Sequence, residues 1–146
     1  MTDPRDGTID PEIGPETRAV GVWPAVAAVS AGGVLGALTR HAAQSAWPRP
    51  AAGFGWATFG INVVGCLLIG VLMASLTARR DPHPLVRPFL ATGVLGGFTT
   101  FSTSIGDTDA LFRADRPATA LVYLGGTLLA AVAAAWVGAG PLAARR

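Results

Sequence analysis

Four long stretches of the chain carry no charged side chain: Ala19 to Thr39, Pro50 to Ala78, Pro88 to Gly106 and Pro117 to Ala144. A helix needs roughly 20 apolar residues to cross the hydrocarbon core of a bilayer, and each stretch approaches or exceeds that length. With 51% hydrophobic and 14% charged residues and a mean hydropathy of +0.47, the chain departs from the composition of soluble domains. The expected fold is an all-α membrane protein of four transmembrane helices over residues 19–146, preceded by a polar tail over residues 1–18. That tail is punctuated by Pro and Gly and has no basic segment leading directly into an apolar core, so it reads as a disordered cytoplasmic extension rather than a cleaved signal peptide.

Charge and composition exclude several function classes. All 11 basic residues are arginines and the net charge is only +2, which leaves no electrostatic footprint for nucleic acid. Most of the arginines fall in loops and tails, where they act as topology signals and contact lipid headgroups. The loops from Ala42 to Gly53, Arg79 to Arg87 and Leu111 to Arg116 have no room for a soluble catalytic domain, and the chain is not expected to be an enzyme. His41 and His83 lie at window edges or in loops and read as surface residues. Cys66 is the lone cysteine; it sits inside the second window as a small packing residue, and no disulfide or metal framework is available.

Within the windows, three features stand out. The first window carries Gly32-Gly33-Val34-Leu35-Gly36-Ala37, small residues four apart that let helix backbones approach closely in lipid. The second holds a single amide, Asn62, which must find a partner or cost several kcal/mol at that depth, ~2–7 for an unpaired amide. It serves either as an interhelical hydrogen-bonding group or as a pore contact. In the fourth window Tyr123 and Thr127 are one helical turn apart and share a face.

The third window is the most demanding. Gly96 to Asp107 reads GGFTTFSTSIGD, with three glycines and five hydroxyl residues, which are poor helix formers whose side chains compete for backbone hydrogen bonds. A helix break is expected there. In hydrocarbon such a break must be buried in protein or must coordinate something, and discontinuous membrane helices hold ions with their unwound carbonyls and half-helix ends. The stretch is therefore a candidate ion site. Asp107, the only acid close to an apolar window, either faces a vestibule or ends the segment.

Taken in order, Gly32-Gly33-x-x-Gly36-Ala37-x-x-Arg40, Asn62-Val63-x-Gly65-x4-Gly70 and Gly96-Gly97-Phe98-Thr99-Thr100-Phe101-Ser102-Thr103 resemble the bacterial fluoride channels of the Fluc/CrcB type, from about Gly32 to Gly140. The resemblance implies a dual-topology dimer of two antiparallel four-helix subunits, with two fluoride pores and a structural sodium ion at the centre. It implies that the carbonyls of Gly96 and Thr99 hold the sodium. It further implies that Asn62, Phe101, Ser102 and Thr103 line the fluoride path, with Tyr123 and Thr127 matching a Tyr-x3-Ser pattern in the fourth helix. The chemistry agrees: an aromatic edge is electropositive, and amide and hydroxyl hydrogens can replace the water around a small anion.

One position departs from the family pattern. Where the family has Phe-Ser-Thr-Phe, this chain has Phe101-Ser102-Thr103-Ser104. The missing aromatic favours a heterodimer, in which a second homologous subunit supplies the ring, over a functional homodimer. With the N-terminus inside, Arg5, Arg18, Arg79, Arg80, Arg87, Arg145 and Arg146 fall on the cytoplasmic side, against Arg40, Arg49, Arg113 and Arg116 outside. That bias favours both termini on the cytoplasmic side, and the resemblance implies the plasma membrane of a bacterial cell, with lipid around the chain. Two other functions compete: a proton-coupled small multidrug-type exporter and a non-conducting membrane scaffold subunit. The exporter needs a carboxylate within the bilayer, usually in the first helix, and none lies between Ala19 and Thr39.

Overall fold

A computed structural model describes residues 21–49, 53–79 and 82–143, with side chains through residue 140. The tail over residues 1–18 lies outside the described residues, as do Arg80, Arg145 and Arg146. Three helices are long and apolar enough to cross a membrane: α1 (Val22–Ala46), α2 (Trp56–Ala78) and the Pro117–Gly140 part of α5 (Pro117–Ala143). No strand occurs among the described residues.

The third charge-free window folds differently from the other three. It begins as a π-helical segment, Arg87–Leu95, with Pro88 near its start, where a missing N–H costs nothing. The helix tightens into α3 (Gly96–Phe98), and α4 (Phe101–Arg113) follows after two residues. Those two residues, Thr99 (φ −73°, ψ 154°) and Thr100 (φ −150°, ψ 123°), are extended. The glycine pair itself stays helical, Gly96 having φ −65° and ψ −36°. The interruption falls on the threonines because β-branched residues accept extended backbone readily and because the Thr100 side chain caps the new helix, its Oγ1 accepting the Thr103 N–H at 3.2 Å. At the far end of α4, Asp115 takes φ 56°, a left-handed turn that an Asp tolerates, and the chain reverses into α5.

Glycines set the packing. A Cβ on Gly32 would overlap the Phe89 carbonyl and one on Gly36 the Val94 carbonyl, so α1 lies backbone to backbone on the π-helical segment and α3. In the same way a Cβ on Gly70 would strike the Ala135 carbonyl and one on Gly138 the Leu67 carbonyl, which brings α2 and α5 together. Gly65 leaves room on α2 for the Thr99 methyl and the Phe98 ring, seating the interruption against that helix.

The distribution of side chains is the inverse of a water-soluble fold. Large apolar residues such as Trp23, Leu129 and Trp136 stand on the outside. Buried within are Thr58, Asn62, Thr100, Ser104, Asp107, Thr108 and Thr127, beside a small apolar cluster of Leu111, Ala120 and Tyr123. A surface that is apolar all round belongs in lipid rather than in water.

Candidate functional site

The interruption at Thr99–Thr100 is spliced by a side chain. Asn62 on α2 accepts the Thr100 N–H with Oδ1 at 2.8 Å and donates from Nδ2 to the Thr100 carbonyl at 2.9 Å. Its second N–H goes to the Ser104 hydroxyl at 3.0 Å, and that hydroxyl donates to the Thr100 carbonyl at 3.3 Å. Every polar hydrogen of the Asn62 side chain therefore has a protein acceptor, which answers the cost of placing an amide at this depth.

The splice has a consequence for the carbonyls before it. In a continuous helix the Gly96 carbonyl would accept from the Thr100 N–H and the Thr99 carbonyl from the Thr103 N–H. Here the Thr100 N–H is turned to Asn62 and the Thr103 N–H to the Thr100 hydroxyl. Gly96 and Thr99 thus have carbonyl oxygens whose usual helical donors are diverted, a donor set suited to a hard cation. Among the described residues no group of three or more His, Cys, Asp or Glu side chains could hold a metal.

A cleft of about 320 Å³ opens beside the interruption, lined on one side by Asn62, Cys66 and Thr99 to Phe101, and on the other by α5 residues including Leu124, Thr127 and Leu128. Ser104 lines it from α4. Phe101, 70% exposed, also lines this space. Thr127 reaches it while donating to the Tyr123 carbonyl of its own helix at 2.6 Å. Ser102 and Thr103 are not on the cleft wall; their hydroxyls gather around Thr100 Oγ1, at 3.4 and 3.0 Å.

One turn along α4 from Ser104, and one turn back along α5 from Thr127, a second polar group begins. The Tyr123 hydroxyl, fully buried, donates to Asp107 Oδ2 at 3.0 Å, and Arg49 Nε, from the segment between α1 and α2, meets Asp107 Oδ1 at 3.1 Å. Gly55 makes the contact possible, because a Cβ there would collide with Asp107 Oδ2 and lie 2.9 Å from the Tyr123 hydroxyl. Phe54 covers the group edge-on, its ring centroid 4.8 Å from that of Tyr123 and 4.2 Å from that of Trp56.

The structure thus brings Asn62, Phe101, Thr99 and Thr127 together on one cleft, puts Tyr123 one turn beyond it, and holds Ser102 and Thr103 at the start of α4. Spacing along the sequence places Tyr123 and Thr127 on one face. It gives no sign that Arg49 crosses from a loop to Asp107, since the two are far apart in the chain and Arg49 reads as a topology signal.

An all-helical chain with three bilayer-length apolar helices, an apolar exterior and polar groups turned inward is an integral membrane protein. Among the described residues no nucleophile–base pair lines the cleft; its walls offer amide, hydroxyl, carbonyl and aromatic groups suited to binding small ions. A model of the family described as "CrcB-like protein, Camphor Resistance (CrcB)" matches residues 27–139, and the chain belongs to that family. It is 55% identical over 123 residues to a protein of Streptomyces coelicolor named fluoride-specific ion channel FluC 1, covering 84% of this chain and 79% of that one. To FluC 2 of Thermobifida fusca it is 51% identical over 121 residues, covering 83% and 90%. To FluC of Stutzerimonas stutzeri it is 44% identical over 115 residues, covering 76% and 90%. The family is one of channels, and the chain is not an enzyme.

Proposed function

We propose that the chain is one subunit of a passive, fluoride-selective channel that lowers cytoplasmic fluoride. The cleft beside the interrupted helix carries this reading, since it joins Asn62, Phe101 and Thr127 on one wall system in a chain whose relatives are named fluoride-specific channels. In this reading the π-helical segment, α3 and α4 together make a fourth crossing, broken at Thr99–Thr100, and both termini are cytoplasmic.

Fluoride binding calls for donors, and most of those on the cleft wall are engaged with protein acceptors. The bond from Asn62 Nδ2 to Ser104 Oγ is the most exchangeable of them, because the hydroxyl can rotate and an arriving anion can take its place as acceptor. The Phe101 ring edge adds an electropositive surface that competes with no hydrogen bond. Ser102, Thr103 and Tyr123 lie next to this path and supply hydroxyls as the ion moves on.

A sodium ion held by the Gly96 and Thr99 carbonyls of two antiparallel subunits fits the diverted helical donors at those positions. Bound there, the cation would neutralise carbonyl dipoles facing one another across the dimer centre. Ser104 supports a heterodimer: it stands where the family has its second aromatic, it is 2% exposed, and its hydroxyl takes part in the Asn62 splice. A homologous partner would bring the missing ring.

Fluoride efflux from proteoliposomes, followed with a fluoride electrode, tests this reading. The chain reconstituted with a homologous subunit that carries Phe at the position of Ser104 should release fluoride, and the chain alone should release little. Absence of efflux from both preparations, with correct insertion shown by protease protection, would overturn the channel function and favour a non-conducting subunit.

A further inference from the structure

The Arg49–Asp107 ion pair, joined to the Tyr123 hydroxyl beside the proposed path, is a charged group to which that path gives no role. Asp107 is buried on α4 one turn from Ser104, which lines the cleft, and Tyr123 is one turn from Thr127, which also lines it. Ser104, bonded to Asn62, and Asp107, bonded to Tyr123 and Arg49, thus lie one turn apart on the buried face of α4. A bare carboxylate at that place would repel an anion in the cleft and lower its local occupancy.

Arg49 removes this obstacle. Its Nε pairs with Asp107 Oδ1 while Oδ2 stays on the Tyr123 hydroxyl, and its Nη1 is buried with no acceptor among the described residues. The group therefore carries no net negative charge and has one donor in excess. Simple stapling of the loop would have been served by an uncharged pair, without the cost of desolvating the buried Asp107 carboxylate.

We infer that Arg49 is a positioning residue for anion passage: by pairing with Asp107 it cancels the buried carboxylate at the end of the cleft and keeps that carboxylate turned onto the Tyr123 hydroxyl. The inference rests on the channel reading above.

The test compares fluoride efflux of the reconstituted full-length assembly carrying wild type, Arg49→Gln, Arg49→Lys, Asp107→Asn or Arg49→Gln/Asp107→Asn, each at low and high ionic strength, with thermal unfolding in detergent alongside. Arg49→Gln should slow efflux at least about tenfold, the slowing should shrink at high salt as a charge effect does, and Arg49→Lys should stay within about threefold of wild type. The double variant should recover to the level of Asp107→Asn, because both charges are then gone. A double variant as slow as Arg49→Gln, or a loss that salt leaves untouched, marks a merely structural staple and overturns the inference. If Arg49→Gln does not fold, Arg49→Lys and Asp107→Asn decide: slowing of more than about tenfold in both, with unchanged unfolding temperatures, overturns it. Failure of the wild type to conduct in the same assay is the failure of the channel reading itself, and is told apart by that control.

Discussion

Asn62 and Thr100 are joined through both ends of one carboxamide, Oδ1 accepting the Thr100 N–H at 2.8 Å and Nδ2 donating to the Thr100 carbonyl at 2.9 Å. A side chain thus does for Thr100 what a neighbouring strand would do in a sheet, supplying one donor and one acceptor to a residue in extended conformation. That arrangement permits a helix to be interrupted where water is not available to satisfy the backbone. It also ties the candidate ion path to the stability of the fold.

Removing this amide should cost both stability and function. Asn62→Ala leaves the Thr100 N–H without its acceptor and takes donors from two oxygens, a destabilisation of ~2–4 kcal/mol if each unmatched buried group costs about 1–3 kcal/mol and the site partly relaxes. Asn62→Asp keeps the acceptor but sets carboxylate oxygens against the Thr100 carbonyl, so it should unfold at a lower temperature than wild type at neutral pH. Thermal unfolding in detergent measures both, and a melting temperature unchanged in either variant would remove the splice from the account.

The glycines make a contrast within one protein. Gly32→Ala should destabilise by about 1–3 kcal/mol, since its methyl would meet the Phe89 carbonyl and backbone atoms near Val94 that cannot turn aside as a side chain can. Gly60→Ala, whose methyl would enter open space, should be neutral or stabilising by up to ~1 kcal/mol through helix propensity. Equal effects of the two substitutions on unfolding would show that the close approach of α1 to the π-helical segment does not control packing.

The helices were legible because burial in lipid demands a long apolar span, and Val22–Ala46, Trp56–Ala78 and Pro117–Gly140 supply one, with α1 running on past Arg40, where its charge-free stretch ends. Hydroxyls and glycines mark residues 96–107 as poor helix formers, and Thr99 and Thr100 are extended between α3 and α4. The extended position was not legible: propensity points to Gly96-Gly97, whereas the Thr100 cap and the Asn62 bonds, one of them from another helix, fix it at Thr99–Thr100. The inner face of α4 was hidden for a related reason. Its buried residues, Ser104, Asp107, Thr108 and Leu111, recur at helical spacing, yet three of the four are polar, so a search for apolar periodicity passes over them. Arg49 left no signal, because an ion pair between distant segments is a property of the fold rather than of spacing.

Sodium dependence tests the carbonyl pair. If Gly96 and Thr99 hold a sodium ion, exchanging all sodium for a bulky organic cation should lower the unfolding temperature of the assembly and slow fluoride efflux, and readdition of sodium should restore both. Calcium should not substitute: it favours 6–8 oxygen ligands that include carboxylates, which this pair does not provide. Identical unfolding and efflux in sodium-free buffer would exclude a structural cation at these carbonyls.

Cys66 offers a probe of the cleft that needs no engineering, because it is the only cysteine of the chain and it lines the same space as Phe101 and Thr127. It lies one helical turn from Asn62, so a group attached to its sulfur would fill the cleft next to the splice without breaking the Asn62 bonds. Reaction with a small methanethiosulfonate reagent should therefore slow fluoride efflux at least about tenfold while leaving the unfolding temperature nearly unchanged. A negatively charged reagent should act more strongly than a neutral one of the same size, since a fixed anion repels fluoride across the short distance of the cleft. Cys66→Ala, which removes the thiol and little volume, should conduct normally and be indifferent to both reagents. Full modification of Cys66, confirmed by mass spectrometry, with no change in efflux would show that ions do not pass through this cleft and would move the path elsewhere in the assembly.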